Sequence, residues 1–184
     1  MNLDLTNRVA LVTGSTAGIG LAVVRELARM NATVWISGRT QERVTAAIAT
    51  VCADQPTARV HGMAADVTTP EGLAQLFSTV SSLDVLVNNL GGVNAFKPFE
   101  SLTDQEWLRA FDTNVMTGVR ITRHYLPAMR AGNWGRVVFI SSESGYQIPP
   151  EFIQYGVAKA AEIALARGIA ESLLATGVTV NSVL

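Results

Sequence analysis

Short apolar runs alternate with longer stretches of helical periodicity along this chain, and few architectures accept that order. Val9-Ala-Leu-Val12, Thr33-Val-Trp-Ile36, Ala58-Arg-Val-His-Gly-Met63, Asp84-Val-Leu-Val87, Gly135-Arg-Val-Val-Phe-Ile140 and Val178-Thr-Val180 read as strands. Most are continuously apolar, as expected of strands covered on both faces. Helical patterns fill the intervals, notably at 19–30, 103–130 and 151–174. Strand, helix, strand in this order predicts right-handed βαβ units and an α/β doubly wound parallel sheet of Rossmann type, order 3-2-1-4-5-6. Local punctuation agrees. Thr69 before Pro70 reads as a cap followed by proline at the first helical position, and Thr103-Asp-Gln-Glu106 reads as a capping box. No repeat, low-complexity stretch or linker divides the sequence, so residues 1–184 are expected to form one dinucleotide-binding catalytic domain.

Composition removes several classes of function. At 184 residues, 48% hydrophobic and a net charge of −1, the chain suits a heavily buried sheet and offers no electrostatic attraction for nucleic acid or an anionic membrane. Cys52 is the sole cysteine, and His61 and His124 stand apart, so neither a disulfide framework nor a metal-ligand cluster is expected. Met1-Asn-Leu-Asp-Leu5 lacks a basic leader region, and the apolar stretch after it stops at Thr13-Gly14. Neither a signal peptide nor a membrane span is expected, and the cytoplasm is the expected location.

The chemistry is concentrated in two places. Thr13-Gly-Ser-Thr-Ala-Gly-Ile-Gly20 follows the first strand and opens the first helix. Glycines there allow a tight turn and a close approach to a pyrophosphate, whose charge a helix N-terminus stabilises. Farther along, Ser142 lies thirteen residues before Tyr155 and Lys159 four after it. On a helix the last two share a face. An ammonium beside a phenol favours the phenolate and suits the tyrosine to general acid–base work near neutrality. Ser141, next to Ser142, is the alternative hydroxyl; a solvated i,i+4 pair is the alternative role for Tyr155 and Lys159. Asn114 is an unfavourable residue for the helix over 103–129, and a buried packing amide is its other role.

Together these segments resemble the short-chain dehydrogenase/reductase family over Thr13 to Ser182. The glycine loop is similar to the family's Thr-Gly-x-x-x-Gly-x-Gly, with Gly14, Ser15, Thr16, Gly18, Ile19 and Gly20 implied at the cofactor. Asp66-Val67 stands where the family contacts adenine, and Asn88-Asn-Leu-Gly91 resembles Asn-Asn-Ala-Gly, with Leu90 replacing alanine. Leu90 either crowds the cofactor ribose or changes only packing. Asn114, Ser142, Tyr155 and Lys159 match the family's catalytic tetrad, and Asn181-Ser182-Val183 matches the strand leading to a Pro-Gly turn. The resemblance implies that Ser142 hydrogen-bonds the substrate oxygen and Tyr155 transfers the proton during hydride exchange with nicotinamide. It implies that Lys159 tunes the tyrosine and holds the ribose, and that Asn114 anchors a water relay.

Ser37-Gly38-Arg39-Thr40 at the end of the second strand has no carboxylate to repel a 2′-phosphate, and the Arg39 guanidinium matches one, so NADP(H) is expected over NAD(H). A solvated helix-start residue is the alternative role for Arg39. Loops after the fourth and fifth strands should border the substrate; Phe96, Tyr146, Ile148 and Phe152 suit an apolar carbonyl or alcohol, or else pack on the domain itself. Lys97 and Glu151 are the charges there. The sequence ends at Leu184, where the family continues through a substrate-covering loop, further helices and a last strand, so truncation is expected, with the last family strand absent. A homodimer or homotetramer through the two long helices is expected. Two functions follow: an NADP(H)-dependent carbonyl reductase or alcohol dehydrogenase, or a non-catalytic NADP(H)-binding module without the substrate lid.

Overall fold

The structure, a computed structural model, describes residues 3–184. Strands β1 (Val9–Val12), β2 (Thr33–Gly38), β3 (Arg59–Ala64), β4 (Val85–Asn88), β5 (Gly135–Ile140) and β6 (Val178–Val183) form one parallel sheet ordered β3-β2-β1-β4-β5-β6. This is the expected order. Helices α1 (Gly18–Arg29), α2 (Gln41–Asp54), α3 (Pro70–Thr79), α4 (Asp104–Phe111), α5 (Thr117–Ala131) and α6 (Ile153–Glu171) cross between them.

Side-chain alternation divides the interior into two cores. Ala10 and Val12 of β1, with Val85 and Val87 of β4, face the layer of α1 and α2, where Val24, Ala47 and Val51 meet them. Leu11 and Leu86 point the other way, toward Leu76 of α3, Ile121, Tyr125 and Met129 of α5 and Ala166 of α6. At the base of the sheet Asp84 accepts from the Val9 backbone at 2.9 Å and from Arg8 at 2.8 Å, which fixes β1 beside β4.

Both expected caps form. Thr69 accepts from the Gly72 backbone with Pro70 in the first turn, and Thr103 and Glu106 make a reciprocal capping box. The helix expected over 103–130 forms as an unbroken helical run over 104–131, but it is not regular throughout. A π turn over Asp112–Met116 separates α4 from α5. Its cause lies in side chains that compete for backbone carbonyls: Asn114 Nδ2 donates to the Ala110 carbonyl at 2.9 Å, and Thr117 Oγ1 donates to the Asp112 carbonyl at 3.1 Å. The helix expected over 151–174 is regular only from Ile153 to Glu171, because Pro149-Pro150 opens a 3-10 turn, Pro150–Phe152, before it. Several strands run past their apolar cores, β2 through Ser37-Gly38 and β6 through Asn181 to Val183.

Between β1 and β4 the chain direction of winding reverses, so the loops leaving their carboxyl ends part to opposite sides of the sheet and open a crevice. That is where the glycine loop sits. Leu86, fully buried in the centre of the sheet, tests this packing: Leu86→Ala should lower unfolding free energy by about 2 to 5 kcal/mol in urea denaturation, whereas a loss under about 1 kcal/mol would mean that this part of the core collapses around the cavity.

Candidate active site

The crevice is held open by uncharged hydrogen bonds. Thr13, at the end of β1, is buried, and its Oγ1 accepts from the backbones of Asn89 and Leu90, each at 3.0 Å. Asn89 Nδ2 donates in return to the carbonyls of Thr13 at 2.9 Å and Gly14 at 3.0 Å. The loop then turns through Gly14 at φ +60 and Gly18 at φ +56, left-handed values at which a side chain would be strained. Ala17, the residue before α1, supplies no side-chain cap, so the first amide N–H groups of that helix stay available to an anion. Ile19 is exposed beside them. The Ser15 hydroxyl points inward, donating to the Val12 carbonyl at 2.6 Å and accepting from the Ser37 backbone at 3.2 Å. Its side chain is therefore part of the scaffold.

A cleft of about 480 Å³ runs from this loop past Gly38 and Asp66 to Gly91 and Thr113, with Thr16, Arg39 and Arg43 on its wall. Asp66 accepts from the hydroxyl and backbone of Thr68, at 2.7 and 3.0 Å; these bonds, with a smaller contribution from Arg39, hold its carboxyl below the usual range. Val67 is buried in the core and is not on the wall of this cleft. Asn88 is buried as well and donates to Thr122 Oγ1 at 3.0 Å, so its amide faces α5. Arg43, on the first turn of α2, brings a second guanidinium that sequence reasoning passed over; its signal was the spacing of four from Arg39 across the Thr40 cap.

A smaller cleft of about 240 Å³ shares Ala17, Asn89 and Gly91 with the first and is lined by Tyr155 and Lys159. Lys159 is 3% exposed, and its Nζ lies 5.7 Å from the Tyr155 ring centre. The ammonium donates to the Ile140 carbonyl at 2.8 Å and stands 2.7 Å from Glu162 Oε2. Asn114 is buried, with its amide bonded both ways to Gly92, at 2.8 and 3.2 Å. A Cβ on Gly91 would fall 2.7 Å from Asn114 Oδ1 and 3.1 Å from Lys159 Nζ, so any side chain there would have to displace these groups.

The two serines have different positions. Ser141 is buried, lines the small cleft, and donates to the Lys159 carbonyl at 2.9 Å. Ser142, half-buried in the turn after β5, accepts from the Ser144 backbone at 3.1 Å and is not on the wall of that cleft. Its hydroxyl proton is left for another acceptor.

The loops flanking this end are fastened together. Lys97 donates its backbone N–H to the Glu151 carbonyl at 3.0 Å, and Gln154 donates to the Ala95 carbonyl at 2.7 Å. Phe96, Phe152 and Tyr155 form a run of edge-on rings with centres 5.4 and 5.9 Å apart. Lys97 is paired with Glu106 at 2.5 Å, an interaction that depresses the Glu106 carboxyl to about 2. Tyr146 is exposed, and Ile148 less so.

Glu162 is, after Arg43, a second residue that sequence reasoning missed. Burial pushes its carboxyl up to about 7, with Lys159 acting in the opposite direction. A lysine–glutamate pair at i,i+3 usually reads as a surface pair; the signal was its place inside the apolar run Ala160-Ala161-Glu162-Ile163-Ala164. Another cleft, about 580 Å³ between α3 and α5, lies elsewhere, lined by Phe77, Arg120, Arg123 and His124. It has neither the glycine loop nor the tyrosine–lysine pair. Among the described residues no group of histidine, cysteine and carboxylate side chains could hold a metal, and no helix is long and apolar enough to cross a membrane.

These features fit a dinucleotide. Helix N–H groups without a side-chain cap follow the glycine turn, and the bare backbone at Gly91 comes close to Lys159 and Asn114. The short chain dehydrogenase family profile matches residues 8–184. An uncharacterised oxidoreductase of Bacillus subtilis, YvrD, is 42% identical across 100% of this chain and 70% of its own length. The 3-oxoacyl-[acyl-carrier-protein] reductase FabG of Aquifex aeolicus is 32% identical across 100% of this chain and 75% of its own. Among solved structures, L-sorbose reductase of Gluconobacter frateurii, complexed with NADPH and L-sorbose, superposes with a TM-score of 0.91 at 29% identity, over 99% of this chain and 70% of that one.

The raised Glu162 carboxyl has a consequence for stability. Between the ordinary carboxylate range and about 7 the folded chain retains a proton that the unfolded chain has lost, so stability falls as pH rises through that window. Thermal melting followed across it should show the decline in the wild type and a flatter profile in Glu162→Gln; equal slopes would remove Glu162 as the source.

Proposed function

We propose, for a chain that belongs to the short-chain dehydrogenase/reductase family and so is an NAD(P)-dependent oxidoreductase, that it reduces an apolar carbonyl compound by a Ser142–Tyr155–Lys159 mechanism. The observation that carries this reading is a half-buried tyrosine with a buried lysine one turn beyond it, at the mouth of a cleft continuous with the glycine turn. The glycine loop, Arg39, Asp66 and the backbone around Gly91 would hold the cofactor. Bound there, a reduced nicotinamide supplies the hydride that reaches the carbonyl carbon.

The chain's own groups do the rest. Tyr155 gives its phenolic proton to the carbonyl oxygen as negative charge develops there, and the Lys159 ammonium favours the phenolate that remains. The Ser142 hydroxyl, accepting from Ser144, retains its proton to donate to the same oxygen. Asn114 fixes the Gly91-Gly92 backbone against Lys159. Substrate enters past Phe96 and Phe152, whose rings lead to Tyr155, which favours an apolar group on the carbonyl carbon.

Tyr155→Phe tests the mechanism against a module that binds without turnover. Removing the proton donor should lower NADPH-dependent reduction of aliphatic and aromatic ketones by about 100- to 10,000-fold, with NADPH binding, followed by its fluorescence, retained. Unchanged reduction in Tyr155→Phe would eliminate the mechanism; absence of reduction in the wild type across such a panel would favour the binding module.

We also propose NADP(H) as the preferred cofactor. Supporting this, Arg39 and Arg43 both line the larger cleft, and no carboxylate ends β2. The one acid nearby, Asp66, is engaged by Thr68. Arg39→Ala should weaken NADPH binding by about 10- to 100-fold, the weight of a charge-assisted contact, and leave NADH binding unchanged. Equal losses for both cofactors would assign Arg39 to the scaffold instead.

A further inference from the structure

Helix α6 carries a carboxylate that the proposed reaction does not use. Glu162 lies one turn beyond Lys159, and the two side chains are 2% and 4% exposed. Glu162 Oε2 stands 2.7 Å from Lys159 Nζ, and no other polar contact reaches that oxygen among the described residues. We infer that Glu162 is a positioning residue for Lys159: its carboxyl holds the ammonium against the Ile140 carbonyl, and its proton occupancy sets the net charge that the pair presents to Tyr155 and to a bound dinucleotide. This rests on the proposed function.

Geometry gives the arrangement its logic. An ammonium has three N–H donors. One goes to the Ile140 carbonyl at the end of β5, and Glu162 on α6 stands within ion-pair distance, so two fixed partners on different elements hold the ammonium in place. A buried ammonium needs such partners, because an unpaired charge in the interior is strongly unfavourable. With Glu162 ionised the pair is neutral overall. With Glu162 protonated it carries one positive charge, directed at a site that handles a phenol and an anionic cofactor. Burial brings the change between these states close to neutral pH.

Other charges do not share this role. The elements packed against α6 here are α4, the π turn, the turn 143–145, β5 and β6. Their titratable groups are Asp104, Glu106 and Arg109, then Asp112, Glu143 and Arg136; β6 has none. Glu106 is paired with Lys97 and Asp112 with Arg120, while Arg136 lies over the Trp134 ring. Asp104, Arg109 and Glu143 are exposed. On α6 itself Tyr155 and Lys159 flank the site, Arg167 and Glu171 are exposed, and Glu151 is exposed in the turn before it. The Glu162 carboxyl responds to its burial and to Lys159.

The test is NADPH binding, followed by cofactor fluorescence, on both sides of pH 7 for the wild type, Glu162→Gln and Glu162→Asp. Above pH 7 Glu162→Gln should bind NADPH about 3- to 10-fold more tightly than the wild type, the weight of one partly screened charge. Below pH 7 the two should converge, because the wild-type carboxyl is then neutral too. Titration of the NADPH phosphate acts on every variant alike and leaves the difference intact. Glu162→Asp, which keeps the charge, should keep the bend in the wild-type curve; if Glu162→Gln does not fold, this variant decides, and a curve without the bend overturns the inference. A purely structural glutamate would give Glu162→Gln weaker binding by the same factor at every pH, which also overturns it. Wild-type protein that does not bind NADPH at all would overturn the proposed function and this inference with it, whereas binding with parallel curves overturns this inference alone.

Discussion

Everything at the site depends on how β1 and β4 part. At the switch point of a doubly wound sheet two parallel neighbours send their chains to opposite faces, and the gap between them stays open only if the departing backbones are braced. Here the brace is reciprocal: the Thr13 hydroxyl accepts two N–H groups from Asn89 and Leu90, and the Asn89 amide donates to two carbonyls of the glycine loop. None of these partners is charged. They satisfy buried backbone groups that would otherwise be costly, and leave the electrostatics of the crevice to the helix N-terminus and to Lys159. The same residues keep Gly20 bare, since a Cβ there would lie 2.6 Å from Asn89 Nδ2.

The second brace crosses from the loop after β4 to the π turn. Asn114 binds Gly92 in both directions and also donates to Ala110, one turn earlier on its own chain. A side chain that takes a carbonyl from the helix must loosen it, and the helix answers with the wider turn. The irregularity in α4–α5 and the close approach of Gly91 to Lys159 therefore have one origin. A regular helix over 103–130 would carry the same residues with the amide aimed elsewhere.

What was legible in the sequence follows the same division. Strands were readable because burial on both faces makes their centres continuously apolar, and sheet order followed from winding. Their ends were not, since Ser37, Asn88 and Asn181 are polar residues kept in register by parallel neighbours. Spacing favoured Ser142 over Ser141, and the structure gives the two hydroxyls different partners, Ser141 toward the Lys159 backbone and Ser142 toward Ser144. The inward turn of Ser15 and the π turn were hidden, because each depends on which carbonyl a side chain finds after folding. Glu162 was hidden for a different reason: its spacing from Lys159 is that of an exposed pair, and only tertiary burial reverses its meaning.

That reversal bears on why an oxidoreductase site would carry a buried carboxylate beside its lysine. A lysine at 3% exposure needs a polar partner, because an unpaired charge in the interior is strongly unfavourable. A carboxylate beside it secures the ammonium, but a fully ionised pair has little net field, so the gain in charge retention is offset by a weaker influence on Tyr155. Raising the carboxyl to about 7 lies between these extremes. The ammonium always has a polar partner on its own helix, whether ionised or protonated, and the Ile140 carbonyl fixes its second bond. The cost appears in stability, which falls as pH rises from the ordinary carboxylate range to about 7 and stays lowered above it, where the chain must hold both charges out of water.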